Sequence, residues 1–375
     1  RIAARKDDFC KPLTAVAIRV AALVGALLVC GLFIRLAANI SVFEAFAAML
    51  KGTFGQFGNA TSMKIKCWDS AIYAARLLCI SVALAPAFKM RFWNIGAEGQ
   101  VLAGSLAVAA CMILIGDSVP NWLLIVIMAI AGVAAGAIWA FIPAFFKAKW
   151  NTNETLFTLM MNYVATQLVA YFVIVWEVPK GAGKVGIINQ NSMAGWLPQI
   201  GSNKYMLNVI IVALITVFMF VYLKYSKHGY EISVVGESEK TARYVGIKVE
   251  RVIMRTLLLS GAICGVAGLL LVAGTDHTIT TTLAGGRGFT AVMVSWLAKF
   301  SPIFMVFTSL LLVFLERGAS EISTSFGLNN SFCDILSGII LFFIIGSEFF
   351  IDYKLNFRHR ESAQVSGGKE EKASV

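Results

Sequence analysis

Apolar runs of about 20 residues, each closed by a short polar or basic break, recur along the chain from residue 12 to residue 351. Wound as an α-helix, a run of that length matches the hydrocarbon thickness of a bilayer. The pattern predicts spans at residues 12–38, 69–88, 93–116, 122–146, 154–176, 205–223, 252–273, 289–298, 302–315 and 332–351. Pro86 interrupts the second span. The eighth and ninth are too short to cross alone and read as broken or re-entrant helices buried in protein. Residues 39–66, with Gly52, Gly55 and Gly58, read as an outer interfacial helix plus loop; residues 177–204 read as a long outer loop and 316–331 as a polar loop. The fold class is an all-α integral membrane protein of about ten transmembrane helices, a transmembrane domain over residues 1–351. A cytoplasmic tail, 352–375, is basic at first and then disordered through ESAQVSGGKEEKASV.

The longest charged interruption is residues 224–255, KYSKHGYEISVVGESEKTARYVGIKVERVIMR. Gly229 and Gly236 bracket YEISVV, which reads as a short extended run. Ser238 has the hydroxyl that caps a helix start and Gly246 the freedom that ends one. The helix between them would pair Glu239 with Arg243 on one face. A solvated loop with a stray helical turn is the plain reading; a helix that docks on a soluble partner is the sharper one.

Lys/Arg clusters at Lys89/Arg91, Lys147/Lys149, the central segment, Lys299 and Lys354/Arg358/Arg360 all fall on one side when both termini are cytoplasmic. Each half then holds five spans, and an odd number makes a repeat of this kind inverted. The Gly-rich starts NIGAEGQ and LAGGRGF fall at matching places in the two halves. GVAAG (132–136) and GAICG (261–265) are small-residue patches that permit close helix packing.

Composition narrows the class. The 375 residues are 58% hydrophobic and 14% charged, against roughly 25% charged in soluble domains, which excludes a soluble enzyme. The formal charge of +11, spread between apolar runs, fits the positive-inside pattern and anionic lipid rather than nucleic acid. Seven cysteines lie scattered without a CxxC and read as small buried hydrophobes. Three distant histidines suggest no metal site, and no cofactor is expected. GAGKV (181–185) lacks the upstream Gly and the following Ser/Thr of a phosphate loop. A chain opening on Arg1 reads as trimmed, and its first apolar run, with no small-residue cleavage site after it, is kept as a span.

Polar groups at membrane depth are the candidates for chemistry. Asn94, Glu98 and Gln100 open the third span; Asn153, Glu154, Thr158 and Asn162 lie along the fifth; Thr275, Asp276 and His277 come after the seventh. Glu154, Thr158 and Asn162 share one helix face. The candidate substrate pathway is Asn94, Glu98, Gln100, Glu154, Thr158, Asn162, Phe289 and Trp296. Against it stand plainer readings: Glu154 as a first-turn acid at the interface, Glu98 as a helix-start carboxylate, and the two aromatics as packing. A rival class is an ion-coupled secondary transporter with Glu98, Glu154 or Asp276 as proton carriers; a weaker one is an intramembrane enzyme.

Four stretches, FWNIGAEGQVLAGSLA, NETLFTLMMNYVA, GYEISVVGESEKTARYVGIKVERVIMRTLLLSGAICGVAGLL and GGRGFTAVMVSWLAKFSP, together resemble the permease subunits of bacterial ABC importers for nucleosides and simple sugars, relatives of the ribose and branched-chain amino acid permeases. GAEGQ is similar to the nucleoside-type branch, whereas KCWDSAIYAARLLCI departs from the usual apolar second span. The resemblance implies a non-catalytic, multi-pass subunit of the bacterial inner membrane. It also implies a cytoplasmic ATPase, a second permease subunit and an extracytoplasmic binding protein or lipoprotein as partners, with a nucleoside, or alternatively a simple sugar, as substrate. The ATPase would be met by Glu237, Ser238, Glu239, Lys240, Thr241, Ala242, Arg243 and Tyr244, the coupling helix within the cytoplasmic segment 224–255.

Overall fold

The computed structural model describes residues 2–6, 12–56, 58–200 and 205–357. Its elements are β1 (Ile2–Lys6), α1 (Pro12–Ala38), α2 (Val42–Phe54), α3 (Ala60–Lys89), α4 (Ala97–Ile115), α5 (Asn121–Trp150), α6 (Glu154–Trp176), α7 (Met206–Tyr225), α8 (Lys227–Glu237), α9 (Glu239–Tyr244) and α10 (Val249–Leu271), which a π turn (Val272–Asp276) extends. After it come α11 (Arg287–Leu297), α12 (Pro302–Phe326), α13 (Asn330–Asp352) and β2 (Tyr353–Phe357).

The chain forms two compact units, Arg1–Val42 with Asp334–Val375, and Phe43–Cys333. In the first, β1 pairs antiparallel with β2, Ile2 opposite Phe357, and the Cys30 thiol lies 3.8 Å from the Leu336 carbonyl. The strand occupies the start of the expected tail; ESAQVSGGKEEKASV lies outside the described residues. All candidate site residues belong to the second unit.

Among the described residues eight helices, not ten, are long and apolar enough to cross a membrane. At 11 residues α11 is too short, as expected, and the apolar part of α13, Ile335–Ile351, is also short. The ninth span is longer than expected: α12 runs 25 residues and takes in most of the supposed polar loop. Its buried Leu315, Gly318, Ala319, Ile322 and Ser323 continue one face beyond residue 315, so small residues carry the helical period where hydropathy fades. Likewise α3 starts at Ala60, not residue 69, and passes through Pro86 to Lys89. A proline in the last turn removes one hydrogen bond and leaves the rest of the helix intact.

YEISVV is not extended. It lies in α8, whose buried Gly229, Ile232, Val235 and Gly236 follow a helical period. Short β-branched runs alternate and wind equally well, and here the wound form puts one apolar face against the bundle.

The core is built on close backbone approach. A Cβ at Gly136 would strike the Gly261 carbonyl, one at Gly265 would strike the Gly132 carbonyl, and one at Gly104 would lie 2.7 Å from the Gly265 Cα. Thus α4, α5 and α10 meet at glycines, which is how helices associate where lipid removes the hydrophobic drive.

The two ends of this unit differ. At one, residues 177–200 fold over the bundle: Asn189 Nδ2 donates to Met112 O (2.9 Å), the Gly195 amide to Asn121 Oδ1 (2.8 Å) and the Leu197 amide to Ala273 O (2.9 Å). The Trp196 ring stacks on His277 at 3.7 Å. The Gly181 and Gly183 amides donate to the Glu177 carboxylate at 2.7 and 2.9 Å, so GAGKV is a loop closed on its own acid. Those two bonds, with Lys180 nearby, hold the Glu177 carboxyl below its ordinary range. At the other end α8 seats on the bundle: a Cβ at Gly236 would strike the Lys89 carbonyl, and Arg255 binds Glu231 at 2.9 Å. Burial raises the Glu231 carboxyl, but the bond and charge of Arg255, with His228, outweigh it and leave it below its ordinary range.

Two outcomes follow. Replacing Gly265 by Leu should lower the unfolding free energy by at least about 1–3 kcal/mol, seen in thermal unfolding of the detergent-solubilised chain. In a cysteine-less background, an impermeant thiol reagent should label Gln190→Cys from outside and Tyr244→Cys from the cytoplasmic side; labelling of both from one side would overturn the orientation.

Candidate functional site

The site is organised by a break in the chain. α3 ends at Lys89 and α4 begins only at Ala97, so the expected third span starts later than residue 93. The Trp93 ring lies 4.9 Å from Trp296, near the end of α11, while Glu98 reaches the start of α11. The stretch from Trp93 to Glu98 therefore runs along α11, in the opposite direction, and α4 starts within the membrane.

An unwound backbone at that depth needs partners, and side chains of the third and fifth expected spans supply them. Thr158 Oγ1 accepts from the Ile95 amide (3.2 Å); Asn162 Nδ2 donates to Ile95 O (2.9 Å) and its Oδ1 accepts from the Gly99 amide (2.8 Å). Asn94 Oδ1 accepts from the Gly96 amide (3.0 Å) and from Gln100 Nε2 (3.2 Å). Asn94 and Gln100 are 0% and 1% exposed. Only Asn94 Nδ2 and Gln100 Oε1 are left without partners in this frame.

Glu98 joins the two broken helices. Its carboxylate accepts from the Gly286 amide at 2.8 Å and the Gly288 amide at 2.7 Å. It thus caps the start of α11, not its own turn, where free amides and the helix dipole favour an acid. Gly288 is required: a Cβ there would lie 2.5 Å from the Glu98 nitrogen.

Phe289 and Trp296 sit seven apart on α11, 41% and 48% exposed, on one face with half-buried Val292 and Met293 between. Trp93, equally open, extends this aromatic surface; Phe88 and Phe300 close it at the basic end, their rings 5.9 Å apart. Glu154 stands apart from the frame, bound to Lys147 at 2.9 Å, and Asp276 is bound to Arg76 at 2.8 Å. Each of the three acids considered as a proton carrier is thus held by amides or a cation.

In the segment 224–255, Ser238 Oγ accepts from the Thr241 amide at 3.3 Å and begins α9. Gly246, at φ +84°, follows its end. Ala242 is buried, whereas Glu239, Lys240, Thr241, Arg243 and Tyr244 are exposed, Tyr244 by 92%. Glu237 is exposed at the end of α8. Arg243 meets Glu250 at 3.9 Å in place of the expected Glu239.

Sequence reading missed the partners of Glu98, which are backbone amides, and Trp93. It also missed a group around Tyr73: Arg76, Arg287 and Arg317 lie 5.4, 5.2 and 3.7 Å from its ring centroid. The signal was a charged residue, Arg76, in the middle of an apolar run.

Glu98→Ala removes both acceptors and should cost about 2–4 kcal/mol of stability, while Glu98→Gln keeps one acceptor and should cost less. Unfolding in detergent checks this; equal stability of both variants and wild type would show that the cap holds nothing.

Residues 68–345 match the family described as branched-chain amino acid transport system / permease component. Similar proteins include a glucose ABC transporter permease protein, TsgB13, of Haloferax volcanii, 28% identical over 85% of this chain and 84% of its own length. Others are the guanosine ABC transporter permease protein NupP of Bacillus subtilis, 29% identical over 85% and 90%, and the nucleoside ABC transporter permease protein NupB of Lactococcus lactis, 26% identical over 72% and 76%. With most of its length matched and, among the described residues, eight helices fit to cross a bilayer, the chain is a multi-pass membrane protein and belongs to the permease components of the branched-chain amino acid transport system family.

Proposed function

We propose that this permease forms the translocation pathway of an ATP-driven importer for nucleosides. The carrying observation is the exposed aromatic face of α11, Phe289 and Trp296 with Trp93 beside them. Flat apolar rings at the edge of a polar frame suit a solute with a flat base and a hydroxylated sugar. The frame is neutral toward the solute, because its one acid, Glu98, is spent on α11. In this reading Asn94 Nδ2 and Gln100 Oε1 meet ribose or base edges when the wall opens, Thr158 and Asn162 keep the unwound stretch in place, and Glu154 steadies the start of α6. Two relatives named for guanosine and nucleoside transport support this substrate; the one named for glucose supports the sugar alternative.

The rest of the machine is read in the same way. Residues 1–351 are the permease domain, in two inverted halves of five segments with α4 and α11 as counterparts, and 352–375 are a cytoplasmic tail. The segment 224–255 meets a cytoplasmic ATPase through α9, a short helix with one buried alanine whose other side chains are exposed. A second permease subunit and an extracytoplasmic binding protein or lipoprotein complete the assembly.

Uptake of radiolabelled nucleoside into proteoliposomes holding the whole complex tests both parts. Trp296→Ala should reduce uptake about tenfold at low substrate while leaving basal ATP hydrolysis intact. Saturable uptake of a sugar, with no nucleoside transport or competition, would refute the substrate. Arg243→Glu and Tyr244→Ala should each abolish transport and transport-stimulated hydrolysis yet leave membrane insertion unchanged. Normal transport in both would reduce α9 to a solvated turn.

A further inference from the structure

Three arginines from three helices crowd one ring in the wall of the second unit. Arg76 of α3, Arg287 of α11 and Arg317 of α12 all lie within 5.4 Å of the Tyr73 ring centroid. Helix rise places them at comparable depth. Tyr73 and Arg76 stand about 20–24 Å from the basic end of α3, Arg287 about 16 Å from that of α11 and Arg317 about 23 Å from that of α12. That is the outer half of a bilayer about 30 Å thick.

The charges there do not balance. Asp276 neutralises Arg76 at 2.8 Å. Glu321, one turn beyond Arg317, binds Lys66 at 3.3 Å. Asp69, one turn before Tyr73, makes no ion pair among the described residues, and neither Arg287 nor Arg317 has a carboxylate within ion-pair distance there. Arg287 does give Nη1 to the Leu283 carbonyl, at 3.3 Å. The side chain of Arg76 is only 8% exposed and its Nε has no partner; the Nε of Arg317 is also buried without one. Guanidinium groups at membrane depth are costly, and like charges around one ring repel. The ring faces they cover return only a small part of that cost.

We propose that Arg76, Arg287 and Arg317 form an anion site that takes one phosphate or carboxylate group in the outer half of the permease. Three planar forks gathered around one ring from separate helices suit the several acceptor oxygens of such a group. The anion would bind α3, α11 and α12 together, and α11 is the helix that Glu98 caps. The site is independent of the nucleoside reading, since a neutral solute passes without occupying it. The group can arrive as a free anion or as the headgroup of an anionic lipid.

The full chain in nanodiscs separates these sources. In phosphatidylcholine nanodiscs, radiolabelled inorganic phosphate should bind saturably, about one per chain, and Arg287→Gln and Arg317→Gln should each weaken it about tenfold or more. Arg317→Lys, which keeps charge without the planar fork, should fall between. In phosphatidylglycerol nanodiscs, a lipid source predicts one phosphatidylglycerol retained in native mass spectrometry, lost in the Gln variants, and phosphate binding suppressed; a free-anion source predicts unchanged phosphate binding. Thermal unfolding confirms that the variants are folded, and Arg317→Lys serves in place of any that is not. Neither phosphate binding nor lipid retention in wild type, or the same binding in all variants, would overturn the site.

Discussion

A stretch of backbone that stays unwound inside the membrane must find hydrogen bonds from side chains, and much of this permease is arranged around that requirement. From Phe92 to Gly96 the chain forms no helix, and it runs beside α11. Thr158 and Asn162 of α6 take over its amides and carbonyl, as Asn94 does for Gly96. Polar side chains at such depth are usually read as contacts for a passing solute. Here the first demand on them is the backbone itself, and only two amide atoms of the frame remain uncommitted.

Because the break brings α4 to a start at depth, its first-turn acid reaches the start of another broken helix. Glu98 is thus an acid at two helix starts at once, and Gly288 is the residue that lets the two come so close. The glycines of α4, α5 and α10 play the same part deeper in the bundle. In lipid, close backbone approach gains dispersion contacts that larger side chains would forbid. The body of α4, α5 and α10 then carries the start of α11 through two charge-assisted bonds from Glu98.

Long apolar runs made most spans legible, and α6 begins and ends where the sequence placed it. Ser238 and Gly246 marked α9 because caps and left-handed glycines are local chemistry. What hydropathy missed had tertiary causes. α12 continues past residue 315 through Gly318, Ala319 and Ser323, small residues that pack but score weakly. YEISVV winds into α8 because Ile232 and Val235 have a bundle to face. The Glu98 cap was out of reach since its partners are amides some 190 positions away. Arg287 and Arg317 carry no pattern in the sequence; only the fold brings them to Tyr73.

The same contacts give the two ends of the unit a physical route to one another. α8 rests on the last carbonyl of α3 through Gly236 and on α10 through the Glu231–Arg255 pair. α3 is a single helix of 30 residues whose buried length lies against α11: Ser295 of α11 donates to the Ser81 carbonyl at 3.0 Å. Further out, α3 bears Tyr73 and Arg76, which face Arg287 at the start of α11. A displacement of α9 by an ATPase, as we read that helix, therefore meets stiff elements and short contacts up to the helix that bears Phe289 and Trp296. We infer that helix α11 is the member of that chain that yields. It is short, it ends in a turn with Lys299 and Phe300 at positive φ, and its start hangs on Glu98. Movement delivered along α3 would be taken up there, at the two bonds to Glu98, before the glycine-packed body of α4, α5 and α10 yields.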